Sequence, residues 1–297
     1  MAIGKLLVII NPKSGTRSRA GLEGVVRDIL GPQADIVYTE RPGHASELAR
    51  KGASDGYRRI VAIGGDGTVN ETACGLVDTG VPMAIVPFGS GNGLARHLHI
   101  SMKREAALRL AASGKEVDID SGIVGERRFF CTMGVGFDAQ VSHEFANASR
   151  RGMLTYSRIA FGNFLHYSPE EYRIEIDGSV FDFKAFLVAV CNASQYGNNA
   201  FIAPHASMAD GLLDVTVVEG GNLGSLATAG VRLFTQKLDR SHIVHILRGS
   251  HIVITRQGAG PGHIDGEAVD FPAVLDIACR PKSLRVVVPE ELQVPRN

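Results

Sequence analysis

Short apolar runs alternate with helical patterns over the first part of the chain. Four of these runs predict strands, at residues 5–10, 35–39, 60–63 and 83–86. Apolar residues at helical spacing predict helices at 22–30, 45–51, 94–98 and 104–113. Because strands that alternate with helices form βαβ units, we expect an α/β domain built around a parallel sheet.

The pattern changes after about residue 121. Residues 172–176 alternate with period two, Asp177-Gly178 is a hairpin turn, and the strand pattern resumes at 180–186. Further strands are predicted at 213–218, 243–247, 251–255, 274–278 and 284–288, with one helix near 223–234. Two copies of Ser-His-Ile-Val, at 241–244 and 250–253, predict another hairpin. This half is therefore expected to be mainly antiparallel β, with the domain boundary near residue 122.

The most informative stretch covers residues 60–71, Ile-Val-Ala-Ile-Gly-Gly-Asp-Gly-Thr-Val-Asn-Glu. A buried strand is followed by three glycines within four residues, which allow backbone to approach a ligand closely. Thr68 and Glu71 fit a T-x-x-E capping box, so a helix should begin here and direct its N–H groups at one point. That point suits a phosphate, and Asp66 beside it suits Mg²⁺ or a reacting hydroxyl. The simpler alternative is a tight βα turn of any α/β protein; the added polar residues favour a nucleotide site.

Other polar loops fall at the carboxyl ends of the predicted strands, where parallel sheets bind their ligands. They are Asn-Pro-Lys-Ser-Gly at 11–15, Thr39, and Pro-Phe-Gly-Ser-Gly-Asn at 87–92. The first of them lacks the spacing of a Walker A loop. Gly-x-Gly-x-x-Ala at 134–139 lacks the acidic residue about 20 positions on that a dinucleotide fingerprint needs. We interpret it as close backbone packing near the domain junction.

Composition limits the kinds of partner that the protein is expected to bind and the cellular compartment in which it is expected to work. The chain of 297 residues carries 31 basic and 31 acidic side chains, which argues against nucleic acid as the main partner. No apolar run approaches the ~18–20 residues of a membrane span, and the run at 6–10 is too short for a signal-peptide core. The four scattered cysteines suggest buried thiols in a reducing compartment. We expect a cytoplasmic protein whose contact with a membrane is peripheral. The sequence leaves both a monomer and a homodimer as alternatives.

The motif Gly-Gly-Asp-Gly-Thr-Val-Asn-Glu at 64–71 resembles the signature of the diacylglycerol kinase catalytic-domain superfamily, which includes bacterial lipid kinases and sphingosine kinases. Further matches follow in the family's order: 11–15, 87–92, Phe-Ile-Ala-Pro at 201–204, Asp-Gly-Leu-Leu-Asp-Val at 210–215 and Asp-Gly-Glu at 265–267. The resemblance implies a nucleotide-binding domain at 1–122 and a β-sandwich at 123–283, with a C-terminal strand from about 284–297 that packs back onto the first domain. Ser90 stands where many bacterial members carry Thr, and the Gly-Ser-Gly-Asn form at 89–92 resembles the sphingosine kinase version.

The resemblance also implies roles for individual residues. Ten positions would bind ATP: Asn11, Thr39, Gly65, Asp66, Gly67, Thr68, Val69, Asn70, Glu71 and Ser90. Asp210 would bind Mg²⁺ together with the carbonyls of Ser207 and Leu212. Glu267 matches the family's proton acceptor, and Asp66 is the alternative base. In the sequence, Glu267 follows a glycine-rich stretch and an Asp-Gly turn, so we expect a loop to present its carboxylate.

These features together predict an ATP-dependent lipid kinase. It would transfer the γ-phosphoryl group of ATP to the primary hydroxyl of a diacylglycerol-like or sphingoid lipid at a membrane surface. An NAD kinase is the rival enzyme, because it shares the Gly-Gly-Asp-Gly-Thr core; the loop at 11–15 and the stretch at 209–215 favour the lipid branch. A regulator that binds nucleotide or lipid without turnover is the third alternative, against which Asp66, Asp210 and Glu267 argue.

Overall fold

The computed structural model describes residues 5–15, 21–146, 158–159, 162–163 and 166–292. The chain divides into two compact units. Unit 1 comprises residues 1–120 and 282–297, and unit 2 comprises residues 121–281. The end of the C-terminal strand predicted at 284–297 lies outside the described residues, from 293 onwards.

Unit 1 is an α/β fold around a parallel sheet. Its strands are β1 (Leu6–Ile10), β2 (Ala34–Tyr38), β3 (Arg59–Gly64) and β4 (Met83–Pro87), and its helices are α1 (Leu22–Leu30), α2 (His44–Ser54), α3 (Asp66–Leu76), α4 (Gly93–His97) and α5 (Arg104–Ser113). The sheet order is β4-β3-β1-β2, and all of these neighbours pair in parallel. Strands β1, β3 and β4 are buried along their whole length, which explains why their sequences are continuous apolar runs.

Helix α3 departs from the sequence prediction at its start. The capping box expected from Thr68 and Glu71 is wrong: the helix begins at Asp66, and its N-cap residue Gly65 makes no side-chain cap. Both predicted cap residues have partners far away in the sequence, as described below. A T-x-x-E pattern cannot reveal such partners, because the capping box assumes that both side chains bond locally.

Unit 2 is built from antiparallel strands. They are β5 (Lys115–Val124, which starts in unit 1), β6 (Arg127–Phe129), β7 (Thr132–Gly136), β8 (Glu170–Ile176), β9 (Ser179–Cys191), β10 (Leu213–Glu219), β11 (Val244–Gly249), β12 (His251–Arg256), β13 (Gly260–Ile264), β14 (Glu267–Phe271) and β15 (Val274–Val288, which ends in unit 1). The helices are α6 (Phe137–Ala146), α7 (Leu223–Leu233) and a short 3-10 helix (Leu238–Arg240). The order β14-β13-β7-β9-β8-β12-β15 is antiparallel throughout, and β10 pairs with β9 and β11. The predicted α/β domain followed by an antiparallel β domain is confirmed.

Two local predictions in the second half of the chain are wrong, and a third divides one strand into two. The Ser-His-Ile-Val repeats do not form a hairpin, because Arg248 and Gly249 pair with β10 instead of turning, and β12 pairs with β8 and β15. The strands predicted at 274–278 and 284–288 form one continuous strand, β15. The glycine-rich stretch before Glu267 enters strand β13 at Gly260 and is not a loop throughout, and Glu267 is the first residue of β14. Its Gly-Pro-Gly sequence shows no alternation of apolar side chains and so hides the strand.

Two Asp-Gly pairs make the tight turns of unit 2. Asp177 and Gly178 have φ values of 47° and 86°, and Asp265 and Gly266 have φ values of 47° and 83°. Positive φ at both central residues defines the type I′ turn, whose twist suits a two-residue hairpin. The first turn joins β8 to β9 as predicted, and the second joins β13 to β14.

No helix among the described residues is long and apolar enough to cross a membrane.

Candidate functional site

Three glycine-containing loops pack against one another at the carboxyl ends of β1, β3 and β4. A Cβ atom on Gly89 would lie 2.6 Å from the Cα atom of Gly65. A Cβ atom on Gly15 would lie 1.9 Å from the carbonyl oxygen of Phe88, and Gly15 also has a φ of 69°. Since real Cβ atoms do not approach this closely, each of these positions requires glycine for packing alone.

Side chains also join the loop after β1 to helix α3. The Asn11 Nδ2 atom donates a hydrogen bond to Thr68 Oγ1 at 3.0 Å, and the Ser14 hydroxyl lies 3.3 Å from the same oxygen. The Asn11 Oδ1 atom accepts from the Lys13 N–H at 2.8 Å, which holds this loop in an Asx-type turn. Asn11 and Thr68, both predicted to bind nucleotide, therefore shape the loop through contact with each other.

Asp66 joins α3 to the loop after β4. Its two carboxylate oxygens accept the N–H groups of Asn92 at 2.8 Å and Gly93 at 2.7 Å, at the start of α4. Burial raises the pKa of Asp66, and these two N–H groups oppose the rise. The motif aspartate thus holds two glycine loops in one arrangement. The N–H groups of the first turn of α3 have no intrahelical partners, an arrangement that suits an anion.

Glu71 contacts a different helix from the one that carries it. Its carboxylate accepts the N–H groups of Gly43 at 2.8 Å and Ala45 at 3.2 Å, at the start of α2. The geometry is that of a helix cap supplied by a neighbouring helix. The negative charge of Glu71 also interacts favourably with the positive end of the α2 dipole. In this structure, the predicted nucleotide ligand Glu71 connects α2 to α3.

Glu71→Ala should therefore destabilise unit 1 by about 1–2 kcal/mol, the usual cost of losing a helix cap with partly buried partners. ATP affinity of the folded variant should change little. Urea unfolding and calorimetric ATP titration measure the two effects. Glu47→Ala is the matched control. It removes a carboxylate on α2 whose ion pair with Arg41 is exposed, so it should barely shift the unfolding midpoint. A stable Glu71→Ala protein that cannot bind ATP would contradict the capping role.

The other predicted nucleotide residues occupy varied positions in unit 1. Thr39 is buried directly after β2, where its N–H donates to the Ile10 carbonyl at 2.9 Å. Gly67 and Asn70 lie in the first two turns of α3, Val69 points into the core, and Ser90 is exposed in the loop after β4. These positions follow three of the four strands of the parallel sheet, as the pattern of polar loops predicts.

In unit 2, Glu267 is placed by the turn that precedes it. The Asp265 carboxylate accepts three backbone N–H groups, from Phe130, Cys131 and Thr132, at 2.8–2.9 Å. A carboxylate held by three amide donors is fully used in anchoring, so Asp265 is poorly suited to be a base. Glu267, two residues on, is exposed and begins β14 opposite Ile264.

Asp210 lies in a cluster of opposite charges. Its Oδ2 atom pairs with the Arg248 guanidinium, which also lies 3.3 Å from Asp214, and its Oδ1 atom accepts the Leu212 N–H at 3.1 Å. Burial raises the pKa of Asp214 to about 6, and Arg248 opposes that rise. Among the described residues, no three His, Cys, Asp or Glu side chains form a cluster that could hold a metal ion.

One buried polar cluster was not predicted from the sequence. The Asp138 Oδ2 atom accepts from the Tyr196 hydroxyl at 2.7 Å and lies 3.0 Å from His263 Nε2. The acceptor favours the tautomer with a proton on Nε2. Gly134 makes the pair possible, because its Cβ would lie 2.5 Å from His263 Nε2. The close backbone packing predicted for Gly-x-Gly-x-x-Ala is found at Gly136, whose Cβ would lie 2.8 Å from the Phe186 carbonyl oxygen, whereas the close neighbours of Gly134 are side chains. His263, 125 positions from Asp138, gave no sequence signal.

Comparison with known proteins matches both parts of the chain. Residues 5–124 match the diacylglycerol kinase catalytic domain, and residues 131–288 match the YegS C-terminal NAD kinase beta sandwich-like domain. A Chromohalobacter salexigens protein named "Probable lipid kinase YegS-like" is 31% identical over 72% of this chain and 71% of its own length. A Mycobacterium tuberculosis diacylglycerol kinase is 28% identical over 99% and 96% of the two chains. The chain spans 56% of the length of an uncharacterized Synechocystis protein to which it is 28% identical.

Solved structures share the fold at lower identity. A diacylglycerol kinase from Bacillus anthracis superposes with a TM-score of 0.75 at 19% identity, over 99% of this chain and all of the other. An NAD kinase from Archaeoglobus fulgidus in complex with ATP superposes with a TM-score of 0.55 at 13% identity, over 96% and 94% of the two chains. The family resemblance predicted from the sequence motifs is confirmed, and the chain belongs to the diacylglycerol kinase family, with a catalytic domain followed by a YegS-type β-sandwich domain.

Proposed function

We propose that this protein is an ATP-dependent lipid kinase that phosphorylates the primary hydroxyl of a diacylglycerol-like or sphingoid lipid. The packing of three glycine loops at one edge of the unit 1 sheet carries the proposal. Gly65 and Gly89 approach so closely that backbone, not side chains, forms the surface there. A backbone surface with unpaired helix N–H groups suits the charged, many-oxygen triphosphate of a nucleotide.

The residues of unit 1 would bind and orient the nucleotide. Asn11 and Thr68 fix the loop after β1, and Asp66 fixes the loop after β4, so the donors are already arranged before ATP arrives. Pre-arranged donors are the main source of catalysis in phosphoryl transfer, where little covalent chemistry falls to the protein. The shared fold of an ATP-bound NAD kinase supports ATP as the nucleotide.

Glu267 would accept the proton of the lipid hydroxyl as the phosphoryl group is transferred. Its exposed position at the start of β14 leaves it accessible to a substrate, whereas Asp265 is held by three N–H groups. A carboxylate at hydrogen-bonding distance from a hydroxyl can act in this way.

The test of this function is transfer of radiolabelled γ-phosphate from ATP to a panel of acceptors: diacylglycerol, monoacylglycerol, sphingosine, ceramide and NAD. We expect label in one of the lipids and none in NAD. Label in NAD alone would identify the rival NAD kinase activity. ATP binding without transfer to any acceptor would favour a regulator that has no turnover.

The Asp210 site has oxygen donors of the kind that Mg²⁺ prefers, namely one carboxylate and the proposed carbonyls of Ser207 and Leu212. Bound there, Mg²⁺ would supply positive charge that stabilises this loop. Because Arg248 already pairs with the carboxylate, the metal ion and the guanidinium should compete for it.

Asp210→Asn should therefore raise the concentration of free Mg²⁺ required for half-maximal activity at fixed Mg·ATP, since a neutral amide balances less charge. Arg248→Met should lower that concentration, because it removes the competing cation. Titrating Mg²⁺ in steady-state assays compares the three proteins. If both variants show the wild-type dependence on Mg²⁺, Asp210 is a turn residue and the metal site is wrong.

A further inference from the structure

Helix α7 of unit 2 exposes an apolar stripe to solvent. Leu223 is 63% exposed, Val231 is 66% exposed and Phe234, at the C-cap, is 55% exposed. Ala227, also exposed, lies between them. The spacing of four, four and three residues places all four side chains on one side of the helix. We call these four residues the α7 stripe.

The fold of unit 2 does not require the α7 stripe to be apolar. A different set of residues packs the helix onto its domain: Ala229 is buried, and Leu226 and Leu233 pack against the same core cluster, which includes Ile243. The apolar arc of α7 is therefore wider than the part that the core uses. An exposed run of large apolar side chains at helical spacing is typical of a surface that binds a partner.

Cations lie close in sequence to the C-terminal end of the α7 stripe. Arg232 lies on the helix itself, where its guanidinium donates to the Arg240 carbonyl, and Lys237 and Arg240 are exposed just after it. Within 221–240 the acidic side chain is Asp239, which lies 3.6 Å from His205. Neither Lys237 nor Arg240 forms an ion pair with any residue that the structure describes.

An apolar helix face bordered by Lys and Arg is the pattern of a helix that lies in a lipid interface. A second copy of this chain fits the surface less well. A two-fold contact through the α7 stripe would pair this segment with its own copy, whose one acidic side chain within 221–240 is Asp239, so it would supply little charge complementary to Arg232, Lys237 and Arg240. Anionic headgroups, by contrast, would neutralise these cations while the acyl boundary takes up Leu223, Val231 and Phe234.

We propose that the α7 stripe and its flanking cations form the surface by which unit 2 docks on an anionic lipid bilayer. The proposal rests on the proposed lipid kinase function, since a substrate held in a membrane explains why such a surface is useful. It specifies an element and a lipid charge that the family membership does not.

Vesicle sedimentation tests the proposal with the full-length protein. The vesicles contain phosphatidylcholine with about one third phosphatidylserine, compared with phosphatidylcholine alone, at low and physiological salt. The triple variant Leu223→Ser/Val231→Ser/Phe234→Ser removes the apolar surface, and Lys237→Glu/Arg240→Glu reverses the charge. Val180→Ser/Val274→Ser, two exposed apolar residues elsewhere in unit 2, is the matched control.

We expect the wild type and the control to bind anionic vesicles at least about tenfold more strongly than neutral ones. The triple variant and the charge variant should each lose most of that binding. Equal binding by the triple variant and the wild type would overturn the proposal. So would a wild type that is dimeric by analytical ultracentrifugation and becomes monomeric in the triple variant, because a second copy would then cover the stripe.

Kinase assays separate this proposal from the proposed function. On a short-chain lipid dispersed in solution, the triple variant should turn over like the wild type, and on vesicles it should be slower. If the wild type phosphorylates no lipid, the kinase function fails, but sedimentation still decides whether the α7 stripe binds a bilayer. If kinase activity is present and the triple variant is equally fast on vesicles, the docking surface is wrong.

Discussion

Glu267→Gln should lower kcat by ~10²–10⁴-fold, the usual contribution of general acid–base catalysis, while ATP affinity remains near that of the wild type. The amide keeps the size and hydrogen-bonding reach of the carboxylate but cannot accept a proton. The residue is exposed at the start of β14, so the substitution should not disturb the core. Steady-state kinetics with the preferred lipid and calorimetric ATP titration measure the two effects separately.

Asp265→Asn serves as the comparison for this prediction. Its carboxylate anchors the hairpin through three backbone N–H groups, so the variant should lose thermal stability more than it loses kcat in the folded fraction. Asp66→Asn covers the remaining candidate base. Normal turnover by Glu267→Gln, together with a folded, ATP-binding Asp66→Asn protein that is inactive, would transfer the role to Asp66.

Gly89→Val should weaken ATP binding by ~100-fold or more in a protein that still folds. The new Cβ would lie 2.6 Å from the Cα atom of Gly65, so the loops after β3 and β4 must separate. In catalysis a misplacement of about 1 Å of positioned groups can cost ~10²-fold in rate, and we expect a loss of the same order in ATP affinity here. Calorimetry measures the affinity, and circular dichroism at increasing temperature reports whether unit 1 remains folded.

Gly24→Val is the matched control for this substitution. Gly24 lies in helix α1, where an added Cβ meets nothing within 4 Å. This variant should bind ATP like the wild type. Unchanged ATP affinity in a folded Gly89→Val protein would show that the glycine loops do not form the nucleotide site.

The sequence predicts the strands of unit 1 to within one or two residues, because three of the four, β1, β3 and β4, are continuous buried runs next to a glycine or polar loop. The sequence also predicts that the loops at 11–15, 64–71 and 87–92 lie at one edge of the sheet, because the carboxyl ends of parallel strands lie at the same edge. The hydrogen-bond partners of single side chains could not be predicted in this way. Glu71 bonds to Gly43, 28 positions away, and no local pattern encodes that distance.

Unit 2 is less predictable for a related reason. Strand β13 contains Gly260, Pro261 and Gly262, which give no alternation, and its identity as a strand depends on pairing with β7 and β14. The pair of Asp138 and His263 likewise exists only after β7 and β13 have aligned. Long-range pairing of this kind overrides local preference, and a single sequence does not display it.

The interlocked loops of unit 1 also have a consequence for folding. Asn11 holds Thr68 across 57 positions, and Asp66 holds Asn92 across 26, so no single βα unit can form the site alone. Contacts between distant segments form only after the chain has closed the intervening loops. Nucleotide affinity should therefore appear at the same step as the completed sheet, and a ligand present at 100 times its dissociation constant would add about 2.7 kcal/mol to the stability of the folded unit. ATP would then stabilise only those chains in which β1, β3 and β4 have all paired in the sheet.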